Sequence, residues 1–162
     1  MIGIPNNRAW IIRNAIAKLE NINPANGYGS TIRKVSRTRE LPQLYKGPTP
    51  FVGVKAYRVD AELVGGGRQM NCAVQVELHC IVKSSYEDKL EDLVDILYDD
   101  CIVAFMQYQD FSINGDEQGP AIKVDHGGMR EPTDEPLPDK GVRYFIIDFE
   151  VTYRRSYQRR LK

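Results

Sequence analysis

Cysteine is scarce in this chain of 162 residues: Cys72, Cys80 and Cys101 are all it has. An odd count argues against a disulfide framework and fits a reducing compartment. Histidine is scarcer still, at His79 and His126, and no CxxC or HxxxH spacing occurs, which excludes a conventional zinc site. No apolar run approaches the ~20 residues that span a bilayer. The opening MIGIPNNRAWIIRNAIAKLE lacks the uninterrupted apolar stretch and cleavage site of a secretory signal. A protein made in the cytosol, with no membrane partner, is therefore expected. Net charge is missing too, with 22 basic residues against 22 acidic.

What is present is the composition of an ordinary globule. Hydrophobic content of 42% and charged content of 27% exclude a disordered tail, a collagen-like fibre and a coiled-coil rod. The length fits one domain, 1–162. The zero net charge hides a segregation. Residues 1–58 carry ten basic and two acidic side chains, 59–140 carry six and eighteen, and 141–162 carry six and two. The balances are +8, −12 and +4. Charge asymmetry of this kind speaks of partners rather than of fold.

Along the chain, Asn7 to Leu19 reads as a helix with Ile12, Ala15, Ile16 and Leu19 on one face. Asn21 to Gly29 is turn-rich and ends it. Ser30 to Val35 has the weak pattern of a short strand, and Ser36 to Pro50 reads as a long loop. Loops of that length are often functional or ordered by a partner, and a plain surface excursion accounts for it equally well.

Phe51 to Val64 and Met70 to Val82 alternate with period two around Gly65, Gly66 and Gly67, the pattern of a long antiparallel hairpin. Its ~40 Å span at ~3.3 Å per residue exceeds what a small sheet needs, so the tip is expected to project. Ser84 with Glu87, or Ser85 with Asp88, fits a capping box. It opens an amphipathic helix whose apolar face is Tyr86, Leu90, Leu93, Val94, Leu97 and Cys101. The rest of that helix is acidic: Glu87, Asp88, Glu91, Asp92, Asp95, Asp99 and Asp100. Tyr108 to Ile113 and Ala121 to Val124 read as strands about an Asn114-Gly115 turn, with His126 at a turn beyond them. Gly127 to Gly141 reads as a second long loop, and Val142 to Tyr153 as a last strand. Residues 153–162, ending RRSYQRRLK, form a basic tail. The expected fold is α+β: a mainly antiparallel sheet with a long hairpin and two helices packed on one face.

Chemistry is sparse. His79, on the polar face of its strand, reads as a surface histidine. Cys72 and Cys80 lie about 27 Å apart on one strand and can neither bridge nor share a metal; with Cys101 they read as small core residues. The three glycines join two strands, not a strand and a helix, so they do not make a phosphate loop. Glu87, Glu91 and Asp95 lie one turn apart, but a row on one helix face lacks the converging enclosure of a metal site. No catalytic constellation, metal or cofactor is expected, and the chain is read as a non-enzyme. The basic ends, with Tyr153 and Tyr157 among arginines, also fit a nucleic-acid-binding module.

Taken together, several stretches resemble one family. These are the N-terminal helix and turn-rich stretch (Asn7 to Gly29), the strand opening Pro50-Phe51-Val52-Gly53-Val54, the hairpin running into an amphipathic helix (Val76 to Val82, then Ser85 to Tyr98), and the final Val151-Thr152-Tyr153-Arg154. They resemble the tail terminator, or tail-completion, proteins of long-tailed bacteriophages. The resemblance implies a structural virion protein at the tail and neck, assembled in the host cytoplasm. It implies a homohexameric ring that caps the head-proximal end of the tail tube. Its implied partners are itself, the tail tube protein, the sheath in a contractile tail, and an adjoining neck or head-completion protein, with DNA only as passing cargo. Another head–tail neck or connector component is the alternative. On the ring reading, Arg154, Arg155, Arg159 and Arg160 would dock on a neighbouring subunit. Glu87, Glu91 and Asp95 are the candidate acceptors. Gly65, Gly66, Gly67 and Arg68 at the hairpin tip would face tube, sheath or lumen.

Overall fold

The computed structural model describes residues 7–37, 45–64, 69–106, 121–132 and 141–156. The element order is α1 (Asn7–Glu20), a 3₁₀ turn (Pro24–Asn26), β1 (Lys34–Arg37), β2 (Phe51–Val64), β3 (Gln69–Lys83), α2 (Glu87–Phe105), β4 (Ala121–Arg130) and β5 (Val142–Ser156). The five strands form one sheet in the order β1-β2-β3-β5-β4. Only β1 pairs in parallel, with β2; every other neighbour is antiparallel. Both helices lie on one face, α1 mainly over β1 and β2 and α2 over β3, β5 and β4. This is the α+β architecture that the periodicities imply.

Period-two alternation aims one set of strand side chains at the helices. Val52 and Val54 of β2, Val74, Val76, Leu78, Cys80 and Val82 of β3, and Phe145, Ile147, Phe149 and Val151 of β5 form the main core. Helix α1 meets it with Ile11, Ala15 and Leu19, all fully buried at four-residue spacing. That face is rotated from the expected one, since Ile16 is only partly buried; adjacent isoleucines at 11 and 12 blur the periodicity. Helix α2 contributes Leu90, Val94, Leu97, Cys101 and Phe105, and Phe105 stacks on Phe149 with ring centroids 4.6 Å apart.

The second face of the sheet is not bare. Phe51, Ile81, Tyr144 and Ile146 are buried there, and Tyr45 stacks on Phe51 at 3.9 Å. These residues alternate along their strands with those of the main core.

Several expected boundaries are corrected. Strand β1 starts four residues later than Ser30, and the chain before it is held by Ile32 N–H donating to Ile22 O. No side-chain capping box closes α2: Tyr86 is the N-cap residue, and Ser84 Oγ instead accepts from Tyr86 N–H. Tyr86 is 66% exposed and leaves the apolar face. Strand β4 runs on to Arg130, so His126, Gly127 and Gly128 lie within a strand and not in a loop. A bulge between His126 and Gly128, with Gly128 at φ 103°, explains why a strand there reads as a turn. Strand β5 continues to Ser156, past the expected start of a free tail at 153. The Tyr108 to Ile113 strand, the Asn114-Gly115 turn and residues 133–140 of the second loop lie outside the described residues.

Candidate functional site

The feature that dominates the molecule follows from strand register. Helix α2 ends at Phe105, over Phe149. Phe149 is level with Val76 of β3, and Val76 with Ala56 of β2. From that level β2 continues to Val64, β3 reaches back to Gln69, and β5 continues to Ser156. Three paired strands therefore run seven or more residues past the last turn of α2, roughly 25 Å at ~3.3 Å per residue. The pairing is continuous along β3 and β5, from Lys83↔Val142 to Gln69↔Ser156. A register shift between Arg58 and Ala61 interrupts β2 and increases its local twist. Val74, Cys72 and Val151 in this stretch are still buried, so the three-stranded arm proper is its outer part, Glu62–Val64, Gln69–Asn71 and Arg154–Ser156. Its tip, Gly65 to Arg68, lies outside the described residues.

The same register relocates two candidate arginines. Arg154 and Arg155 are strand residues, level with Asn71 and Met70. Their place is in the arm and not in a loose tail; Arg159 and Arg160 lie outside the described residues.

On α2 the three candidate acceptors part company. Glu87 is the first helical residue, and its side chain is not described. Glu91 accepts two hydrogen bonds from Arg143 of the same chain, at 2.9 and 2.7 Å. So part of the acidic helix is neutralised within the fold, by a surface pair worth ~0–1 kcal/mol. Asp95 is exposed, as are Asp88, Asp92 and Asp99. These four follow one another at spacings of four, three and four, so they share the outer stripe of α2.

Asp100, grouped by sequence with that exposed acidic face, does something different. It is 9% exposed, and its carboxylate accepts from Gly29 N–H, Ser30 N–H and Ser30 Oγ–H at 3.2, 2.8 and 2.5 Å. It ties the segment before β1 to the helix layer. One turn further along α2, Lys18 ties α1 to the same helix by donating to Ala104 O at 3.1 Å. There it answers the orphan carbonyls of a helix C-terminus.

The covered second face holds a polar network that sequence reasoning missed. His79 is 5% exposed rather than on the surface. One ring nitrogen meets Tyr144 Oη, and the other lies 3.1 Å from Glu77 Oε1. Glu77 also accepts from Arg130, which donates in addition to Asp148 at 3.0 Å. A neutral ring satisfies both contacts, accepting from the tyrosine hydroxyl and donating to the carboxylate. Burial lowers the His79 pKa below its ordinary value of 6.5, and the Glu77 hydrogen bond opposes that shift. His126 lies within β4 and meets Tyr98 Oη at 2.7 Å, next to Phe149.

All three cysteines are free and buried, as the sequence implies. Burial raises the Cys80 thiol well above its ordinary pKa, with Cys101 adding to the effect. A thiol so held makes a poor nucleophile. Among the described residues no group of three His, Cys, Asp or Glu side chains could hold a metal ion. Nor is any described helix long and apolar enough to cross a membrane. Compared with known proteins, the chain matches no family model and no curated sequence.

Proposed function

We propose that this chain is a structural ring protein, the terminator of a long-tailed phage tail. In this role it caps the tube at its head-proximal end and joins it to the neck. The observation that carries the reading is the three-stranded arm of β2, β3 and β5, which runs past the end of α2. Strand ends that run on past the buried core offer edges and faces to another chain. The arm and the resemblance carried by Phe51 to Val82 rest on the same stretch of sequence.

In the ring, each copy presents the same two unlike surfaces, so contacts are heterologous and close when the rotation allows. The arm and its Gly65–Arg68 tip face the tube, the sheath or the lumen through which DNA passes. The segment after Ser156, with Arg159 and Arg160, docks on the exposed carboxylates of a neighbouring α2. Asp95 leads that stripe, and Glu91 contributes less because Arg143 already occupies it. Such pairs mainly set register and partner choice.

Size-exclusion chromatography with light scattering at high protein concentration tests the ring, and incubation with purified tail tubes tests the cap. A discrete ring, or binding to tube ends, is expected. A strict monomer that also leaves tubes untouched overturns the reading. Deleting residues 157–162 is expected to weaken self-association while leaving β5 complete. An unchanged oligomer refutes the docking of that segment.

A further inference from the structure

Arg130 stands at the end of β4, the outermost strand, yet one of its contacts lies two strands away. Register places His79 of β3, Ile146 of β5 and Arg130 of β4 in one row across the sheet. The next row holds Lys55 of β2, Glu77 of β3 and Asp148 of β5. Along their strands these residues alternate with Leu78 and Ile147 of the main core, so they share the face away from the helices. Arg130 reaches over β5. Its Nη2 donates to Glu77 Oε2, and its Nε donates to Asp148 Oδ2 at 3.0 Å. The guanidinium thus clasps β4 to β3 across the strand between them.

Two features set this clasp apart from a fixed ion pair. Glu77 is 8% exposed and serves two donors, Arg130 on Oε2 and the His79 ring on Oε1 at 3.1 Å. Asp148 Oδ1 is buried and has no hydrogen-bond partner among the described residues. A buried carboxylate oxygen left so beside a guanidinium calls for an explanation. An arginine fork can hold both oxygens of one carboxylate, but Arg130 divides its fork between two. Charge accounts for the division. With a neutral His79 the cluster holds two carboxylates, Glu77 and Asp148, and two cations, Arg130 and Lys55. A protonated ring would add a third positive charge, which Arg130 and Lys55 oppose and Glu77 favours.

We propose that these residues form a proton-driven switch, in which protonation of His79 moves Arg130 from its bridge onto Asp148 alone. In the neutral state His79 Nδ1 accepts from the Tyr144 hydroxyl and Nε2–H donates to Glu77. The incoming proton binds Nδ1, the tyrosine oxygen turns to accept, and Glu77 becomes the partner of a full positive charge. Arg130 Nη2 then leaves Glu77 Oε2 for the unpartnered Asp148 Oδ1, while Nε keeps Oδ2. Each carboxylate ends with one close cation, and the buried oxygen gains its donor. Strand β4 loses its tie to β3 and is held by β5 alone. Arg130 is free to move because half of its side chain is exposed. Burial holds the His79 pKa below 6.5, so the switch turns on the acid side of that value. It needs no second copy and is independent of the ring.

The test follows the side-chain nitrogens of Arg130 and His79 by ¹⁵N NMR of the whole protein, from about pH 7.5 to about pH 5. The Arg130 Nε and Nη2 signals are expected to shift with the same midpoint as the His79 ring. Over that range, hydrogen-exchange protection of the 128–130 amides is expected to drop about tenfold or more relative to β3. In His79→Gln neither change is expected. Because His79 is buried, a second variant supports the first: Arg130→Gln, at a half-exposed site, should raise the His79 midpoint by about 0.5 unit or more. It should also leave the 128–130 amides poorly protected at every pH. Arg130 signals that stay put while His79 titrates, or that drift equally in His79→Gln, overturn the switch. So does a His79 midpoint that Arg130→Gln leaves unchanged. A ring that stays neutral until acid unfolds the protein overturns it as well.

Discussion

At the scale of single residues, the contrast between Asp99 and Asp100 shows how position, not type, sets a side chain's work. Both stand in the acidic run of α2. Asp99 is exposed, whereas Asp100 holds two backbone N–H groups and a hydroxyl of the segment before β1. Asp100→Ala leaves those buried donors unsatisfied, so a loss of ~1–3 kcal/mol is expected. Asp99→Ala should stay within ~0.5 kcal/mol of the parent. Urea denaturation of the two variants checks this, and equal losses would show that Asp100 carries no special tie. Phe149 is a second such point. It is 1% exposed, stacks on Phe105 and neighbours His126. Phe149→Ala is expected to cost about 3–5 kcal/mol, through lost burial and the cavity left behind. A smaller loss would mean that the α2 terminus collapses into the space.

At the scale of elements, β3 has two working faces, and its second face makes stability depend on pH. His79 lies among Glu77 of its own strand, Tyr144 of β5, Arg130 of β4 and Lys55 of β2. Its pKa is lowered in the folded state, chiefly by burial. Just below pH 6.5 the unfolded chain therefore binds more protons than the native one, and unfolding takes up a proton. The stabilising contribution is complete above the unfolded value and drains away as pH falls toward the lowered native value. Between about pH 7.5 and about pH 5.5, the parent is expected to lose more stability than His79→Gln. Parallel slopes of urea midpoint against pH would refute this. The same strand shows what was legible in the sequence. Alternation from Met70 to Val82 placed the hairpin and the core face, because the period-two signal comes from burial on one side. It said nothing of whether the other side was wet, so His79 read as a surface residue while Phe51, Ile81, Tyr144 and Ile146 were covering that face. In β4 the bulge at His126–Gly128 imitated a loop. In α2, seven carboxylates looked alike, although one of them is tied into the packing and another is paired with Arg143.

At the scale of the whole molecule, the zero net charge resolves into two kinds of pairing. Some of the acidic middle is satisfied at home, as Arg143–Glu91 and Arg130–Glu77 show. The outer stripe of α2 and the cations at Arg33 and Lys83 have no ion-pair partner among the described residues, and on the ring reading proposed above they are available for contacts between copies. On the proposed ring reading, the arm separates folding from assembly in the same way. Beyond the level of Phe149, Val76 and Ala56 the strands still bury Val74, Cys72 and Val151, and the pairs from Glu62↔Asn71 to Val64↔Gln69 lie farther out than these. Ala61 and Cys72 face each other across the hairpin, so replacing residues 62–71 with Asn-Gly closes it with a two-residue turn. The shortened chain is expected to fold, with stability within about 1–2 kcal/mol of the parent, because it keeps the helix-covered core. If the proposed ring reading holds, ring formation and binding to tube ends should be lost, since the strand ends assigned to those contacts are gone. Light scattering and tube-binding assays on the folded, shortened protein decide the matter. Unchanged assembly would show that the arm is dispensable and would move the interface to the helices; loss of folding itself would show that the arm is part of the core rather than an extension of it.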